Sequence, residues 1–290
     1  MVQITASMVK ELRDKSGAAM MDCKKALVES SGDFDKAFEW LRQKGVATAS
    51  KKASRATSEG LIVGKVSEDG KTAVLIEVNC ETDFVARNEE FVALCNKLVD
   101  VALANKTKSA EDLLNAKDGG KPVSEAITAA IAKTGENIVI KRLDYLEVPG
   151  EGVIGLYIHA LGGKMGAILE LTADKKPELE AASTIARELA MHIVSTKPQY
   201  LRKEDVPKEI IEEEHRIESG KADLASKPAE IKEKIIAGRV DKILAERCLS
   251  EQPFVKDPSA SVSKHLETKG KELGAKLSPA RFALFILGDA

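Results

Sequence analysis

Glu59-Gly60-Leu61-Ile62 opens a strand-like run and Ala73-Val74-Leu75-Ile76-Glu77-Val78 returns from it; Glu151-Gly152-Val153-Ile154 and Ala167-Ile168-Leu169-Glu170-Leu171 repeat the pair 92 to 94 residues later. In the first copy the strands are Leu61 to Val66 and Thr72 to Cys80, joined through Glu68, Asp69 and Gly70, which is turn chemistry for a hairpin. Helical sequence follows each pair: Phe91, Leu94, Leu98 and Ala102 share one face after the first, and Leu179 to Val194 follows the second. A further helix around Ser124 to Lys133 and a strand from Ile138 to Leu143 complete the first copy. The order predicts an α+β fold with two related subdomains, each a small antiparallel sheet with helices on one side. Chance likeness between generic strand patterns is the competing explanation.

Upstream, Gly17, Gly32 and Gly45 each stand where a helix would end, so the first 45 residues read as three short helices. Thr5 and Asp33 are candidate N-caps, and Phe34, Phe38 and Leu41 follow a helical period. Ala47 to Ser58 has little to bury and reads as a helix tail running into a linker. Downstream, Val206, Ile210 and Ile217, then Ile231, Ile235, Ile236, Val240 and Leu244, make two apolar stripes split by Gly220 to Pro228. They predict a helical hairpin, either packed on the core or projecting as an antiparallel coiled coil; as a projection it could also pair two copies of the chain. A last strand covers Ala280 to Leu287. The domains expected are a helical bundle with linker at 1–55, a first core subdomain at 56–146, a second at 147–202 and 248–290, and the inserted hairpin at 203–247.

The 290 residues carry 44 Lys and Arg against 46 Asp and Glu, a formal charge of −2, which argues against a generic nucleic-acid binder. That balance conceals a local excess: up to Ser58 there are 11 basic and 7 acidic residues. Aromatic residues make up only 4%, which disfavours an all-β sandwich or barrel. No apolar run has signal-peptide or membrane-spanning length, so a cytoplasmic protein that meets no membrane is expected. Cys23, Cys80, Cys95 and Cys248 form neither a CxxC pair nor a compact disulfide framework. Gly163-Lys164 fails the phosphate-loop pattern at both flanks, and no G-x-G-x-x-G follows a strand. His159, His192, His215 and His265 have no metal-ligand spacing, and no nucleophile motif is present. Neither a catalytic residue nor a metal or cofactor site is expected.

One polar loop stands apart, Glu81-Thr82-Asp83-Phe84-Val85-Ala86-Arg87, between a strand and a helix. In one reading Thr82 or Asp83 is an N-cap and Phe84 folds back into the core. In the other, a rigid turn presents an aromatic anchor beside a carboxylate, as a protein-interface hot spot does.

Glu77 through Arg87, with its Thr-Asp-Phe-Val centre, and the run Leu12-Arg13 with Ser16-Gly17-Ala18-Ala19-Met20-Met21-Asp22-Cys23-Lys24-Lys25-Ala26-Leu27 resemble the elongation factor Ts family. Thr134-Gly135-Glu136-Asn137-Ile138, Ala190-Met191-His192 with Lys197-Pro198, and Gln252-Pro253-Phe254-Val255 extend the resemblance over nearly the whole chain. The resemblance implies a UBA-like bundle and a guanine-nucleotide exchange factor for elongation factor Tu, acting on its GDP-bound and nucleotide-free forms in translation without covalent chemistry. It implies that Thr82, Asp83, Phe84 and Val85 approach the magnesium side of the GTPase's nucleotide site, with the Phe84 ring wedged between two of its histidines. Leu12, Met20 and Met21 would add apolar contacts from the bundle; for Met21 the bundle's own core is an equal alternative. Ile138 would support the Phe84 contact, and His159 would reach another domain of the GTPase. After His159 the chain departs from the family's usual tight Gly-rich turn and reads Ala160-Leu161-Gly162-Gly163-Lys164-Met165. Some members continue into a C-terminal helical module; here Ala290 ends the sequence, and that contact is expected to be absent.

Overall fold

A computed structural model describes residues 3–160, 162–224 and 227–289. Three helices come first, α1 (Ala6–Ser16), α2 (Met20–Glu29) and α3 (Phe34–Lys52). Thr5 and Asp33 do cap α1 and α3, accepting the N–H groups of Met8 and Lys36. Leu12, Cys23, Ala26, Leu27 and Ala37 close a small core among them. Gly45 does not end the third helix: α3 runs on to Lys52, and the bare Gly45 packs against Ala132 of the core domain. The stretch read as a tail is thus helical in its first half because it has a surface to lie on.

The first sheet is built from β1 (Glu59–Val66), β2 (Thr72–Cys80) and, after several helical pieces, a third strand that returns beside β2. Those pieces are α4 (Asp83–Ala86), α5 (Glu89–Asn105) and α6 (Ala110–Asn115), then a two-residue ladder, β3 (Lys117–Asp118) with β4 (Lys121–Pro122), then α7 (Val123–Thr134). The returning strand is β5 (Ile138–Glu147), longer than its apolar run suggested because it pairs with β2 along its whole length. The second sheet repeats the order: β6 (Gly152–Ile158) and β7 (Met165–Ala173) form a hairpin, α8 (Leu179–Thr196) follows, and a third strand returns beside β7. Between them come α9 (Lys208–Ser219), α10 (Ala229–Arg247), a short ladder of β8 (Pro253–Phe254) and β9 (Asp257–Ser261), and α11 (Val262–Leu273). The returning strand here is β10 (Leu277–Ile286).

Gly60 and Gly152, equivalent in the two copies, share one backbone reason. Both have strongly positive φ, +146° and +140°, and a Cβ on either would run into a carbonyl oxygen of the neighbouring strand, that of Val78 or of Leu171. Only glycine fits there without displacing the ladder.

The strands alternate between two interiors. Val74, Ile76 and Val78 of β2 face α5 and α7, while Ala73 and Leu75 meet Ile154, Ile168, Ala283 and Phe285 of the second sheet. Ala167, Leu169 and Leu171 of β7 face α8 and α11. The two sheets therefore lie back to back with helices outside, and this burial on both faces is why β2 and β7 are almost continuously apolar. Glu77 sits on the inner face of β2, wholly buried, and pairs with Arg142 Nε at 2.7 Å. Its other oxygen accepts the Gly288 N–H at 3.1 Å, and Arg142 Nη2 donates to the Ile286 carbonyl at 2.8 Å. The end of β10 is thereby fastened to the first sheet; removing Arg142 would leave the wholly buried Glu77 carboxylate without its cation, a loss that typically costs about 3–5 kcal/mol.

The helical hairpin α9–α10 keeps an apolar core of its own, formed by Val206, Leu224, Ile236, Val240, Leu244 and Cys248. Its root is held by a bridge between Tyr200 and Cys248. Part of the connection between its helices, 225–226, lies outside the described residues, as does Ala290.

Candidate partner-docking site

Beyond Cys80, the last residue of β2, the chain turns through the single helical turn α4. Thr82 caps it, its hydroxyl accepting the Val85 N–H at 3.4 Å and donating to Glu136 Oε1 at 2.6 Å. The second carboxylate oxygen of Glu136 accepts the backbone N–H groups of Glu81 and Thr82 at 3.1 and 3.0 Å. In return, Glu81 Oε1 accepts the Asn137 N–H at 2.7 Å. That bond, helped by the nearby Arg55 guanidinium, holds the Glu81 carboxyl below the usual carboxylate range. Asn137 itself is buried and its amide donates to the Arg55 carbonyl at 3.0 Å. The Cys80 thiol lies beneath the turn, donating to the Thr82 carbonyl at 3.2 Å. Burial, with the Glu136 charge second, pushes that thiol up to about 12.

On a helix, residues two apart point in nearly opposite directions, roughly 200° apart. Ala86 is buried and Val85 packs on the first core, so Phe84 must face out. It does, with 83% of its surface exposed, the one exposed phenylalanine among the described residues. Asp83 pairs with Arg87 at 3.1 Å on the same turn. The two readings of this loop thus divide: the Thr82 cap is real, but the ring does not fold back.

The other expected contacts are spread out. Met20 and Met21 stand at the start of α2 with 48% and 72% exposure, so Met21 lies on the surface and not in the bundle core. Leu12 is wholly buried in the bundle, and Ile138 is buried opposite Cys80 at the start of β5. Leu12, inside the core of the bundle, has no exposed surface for the direct contact expected of it, whereas Ile138, expected to support the Phe84 contact, packs in the same core as Val85 and Ala86 of that turn. His159 is half-buried just after β6, its Nδ1 within 3.3 Å of the Tyr157 hydroxyl. The turn after it carries left-handed Gly162 and Gly163, and the Gly163 carbonyl accepts the Ile62 N–H at 2.7 Å; Leu161 lies outside the described residues.

Two features went unassigned in the sequence. Glu136 and Asn137 were visible only as part of a resembling motif, and no local pattern says that they clamp a turn more than fifty residues upstream. His192 is a buried structural node: Nε2 faces Gln252 Oε1 at 2.9 Å, Nδ1 accepts the Val255 N–H at 3.1 Å, and the Phe254 ring stacks on His265 at 4.1 Å. These bonds suit a neutral ring protonated on Nε2, and burial holds its pKa below the ordinary histidine value.

An aromatic ring held out on a turn whose polar groups are satisfied internally has the composition of a protein-interface anchor. A family model described as elongation factor TS matches residues 81–289. An elongation factor Ts of Clostridium novyi is 43% identical over 289 residues, covering 99% of this chain and 93% of the relative. Proteins of the same name from Trichlorobacter lovleyi and a Nitratiruptor species are 42% and 43% identical, each with 99% of this chain and 93% of the relative covered. The chain belongs to the elongation factor Ts family. Among the described residues, no helix is long and apolar enough to cross a membrane.

Proposed function

We propose that the chain is a guanine-nucleotide exchange factor in translation elongation that docks on GDP-bound elongation factor Tu and promotes GDP release so that GTP can bind. In this reading the turn from Thr82 to Val85 approaches the magnesium side of the GTPase's nucleotide site and Phe84 wedges into it. Magnesium bridges phosphate oxygens and neutralises their charge, so disturbing its surroundings weakens nucleotide retention without a covalent step. Linkage is reciprocal: a factor that lowers nucleotide affinity is itself expelled by nucleotide, which lets the cycle turn over. Met20 and Met21 add adaptable apolar contact from the bundle. His159 reaches a second domain of the GTPase, and the division at 1–55, 56–146, 147–202 with 248–290, and 203–247 assigns these contacts to separate parts of the chain.

The observation that carries the reading is the exposure of Phe84 on an internally satisfied turn. An aromatic ring 83% exposed beside a carboxylate, on a turn whose backbone is already fixed, has the make-up of an interface hot spot. Phe84→Ala is expected to cost about 2 kcal/mol of exchange-state stabilisation, or about thirtyfold in the release of fluorescent GDP from elongation factor Tu. Release at the wild-type rate would remove the wedge role.

A further inference from the structure

Beyond the ends of β2 and β5, which run side by side to Cys80 and Ile138, two carboxylates exchange places. The Glu81 side chain takes the backbone N–H of Asn137, and the Glu136 side chain takes the backbone N–H groups of Glu81 and Thr82 together with the Thr82 hydroxyl proton. The last bond decides the direction of the cap. A hydroxyl has one proton; with it committed to Glu136 at 2.6 Å, the oxygen lone pairs are left for the Val85 N–H that begins α4. The first turn of α4, and with it the direction of the Phe84 ring, is thus set from Glu136. Glu136 is in turn held by the left-handed Gly135 that ends α7 and by its own N–H, which donates to Thr134 Oγ1 at 3.2 Å. Asn137 extends the same network to the carbonyls of Ala53 and Arg55, just after α3.

We infer that Glu136 is a positioning residue for nucleotide exchange: it fixes the angle at which Phe84 is presented, so it governs how fast the docked complex releases nucleotide and not how readily the complex forms. The inference rests on the exchange-factor reading above. Misplacing a reacting or wedging group by about 1 Å can cost up to a hundredfold in rate, and a loosened turn that still samples the right direction costs less.

The test uses the full chain with Glu136→Ala, Glu136→Gln, Phe84→Ala and the double variant Glu136→Ala/Phe84→Ala. Release of fluorescent GDP is followed against the concentration of the chain, so that the maximal rate and the half-saturating concentration separate. Glu136→Ala is expected to lower the maximal rate about tenfold while leaving the half-saturating concentration within about twofold; Glu136→Gln, which keeps one carbonyl oxygen for the turn, recovers most of the loss. In the double variant the loss should not exceed that of Phe84→Ala by more than about twofold, since a residue acting through the ring has nothing left to act on. Amide hydrogen exchange supplies the structural signature: the Glu81 and Thr82 amides lose protection in Glu136→Ala while those of β2 and β5 keep theirs. A wild-type maximal rate in Glu136→Ala, additive losses in the double variant, or protection lost across the whole sheet overturns the inference. Should Glu136→Ala not fold, Thr82→Val removes the hydroxyl's bond to Glu136 together with the cap on the Val85 N–H that this bond directs, and a maximal rate unchanged by it overturns the inference equally. A wild-type rate in Phe84→Ala overturns the exchange reading itself, whereas a slow Phe84→Ala beside a fast Glu136→Ala overturns only the role of Glu136.

Discussion

The central strand of each sheet hands the chain to a helix, and the two handovers differ. After β7 the route is short and charged, Asp174-Lys175-Lys176-Pro177, and Glu178 caps α8 by accepting the N–H groups of Glu180 and Ala181 at 2.9 and 2.6 Å. After β2 an extra helical turn, α4, is inserted before α5, and it is clamped from outside by Glu136. The first connection needs only one local cap. The second carries an exposed ring and requires a carboxylate brought from a distant loop. Where two frames share strand order and the same glycine constraint, a turn that one handover has and the other lacks is a place to look for function, because the frame itself is already accounted for by packing.

The largest effect should come from the shared frame. Gly60→Ala and Gly152→Ala each force a Cβ against a strand carbonyl at a positive φ, and each is expected to destabilise the fold by about 3 kcal/mol or more, read as a lowered thermal midpoint. Equal losses at the two sites sharpen the comparison. If one glycine tolerates alanine and the other does not, the frames are not equivalent at the position where they look most alike.

Next comes the contrast between the handovers. Phe84→Ala is expected to lose about thirtyfold in GDP release, whereas Leu179→Ala, the exposed apolar residue that opens α8, should stay within about twofold. Both side chains are exposed, so neither change should lower stability by much more than about 0.5 kcal/mol. Equal effects on release would break the assignment of function to the inserted turn.

How much of this was legible in the sequence follows from the range of the forces involved. The hairpins, the Thr5 and Asp33 caps and the return strands are governed by periodicity and by neighbours within a few residues, and they were readable, while the cap of α4 was narrowed only to Thr82 or Asp83. The end of α3 was not, because Gly45 is a helix breaker in isolation and is overridden by packing on Ala132. The residues alone left the direction of Phe84 open, and only the resemblance pointed it outward, because nothing local says whether Ala86 or Phe84 faces the core of a single turn. Leu12 and Ile138 could be named from resembling motifs, but burial is a property of the assembled fold. Glu136 lies more than fifty residues from the turn it holds, and strand pairing alone brings it there.

The smallest effect separates the two helical layers by their buried titratable groups. Under α5 the layer holds Cys95, whose thiol burial pushes well up, and Cys80, pushed up to about 12, so neither changes charge between pH 5 and 8. Under α8 it holds His192, with His265 against the same Phe254 ring, and burial lowers both. A histidine whose folded pKa lies below its unfolded value, about 6.5, leaves the unfolded chain binding more protons as pH falls past that value. Its contribution is therefore present above about pH 6.5 and is lost as pH falls toward the folded pKa. Protonating Nδ1 would also remove the acceptor of the Val255 N–H and place a charge beside Phe254. Going from pH 7.5 to 5.5, hydrogen exchange corrected for its intrinsic pH dependence should show opening become easier for the amides of α8 and α11, with those of α5 and α7 unchanged. His192→Gln should flatten the pH dependence of the α8 amides. If α5 and α8 loosen together, the two layers open as one cooperative unit; the back-to-back sheets then couple them more tightly than their separate interiors suggest, and the comparison drawn from the handovers does not extend to stability.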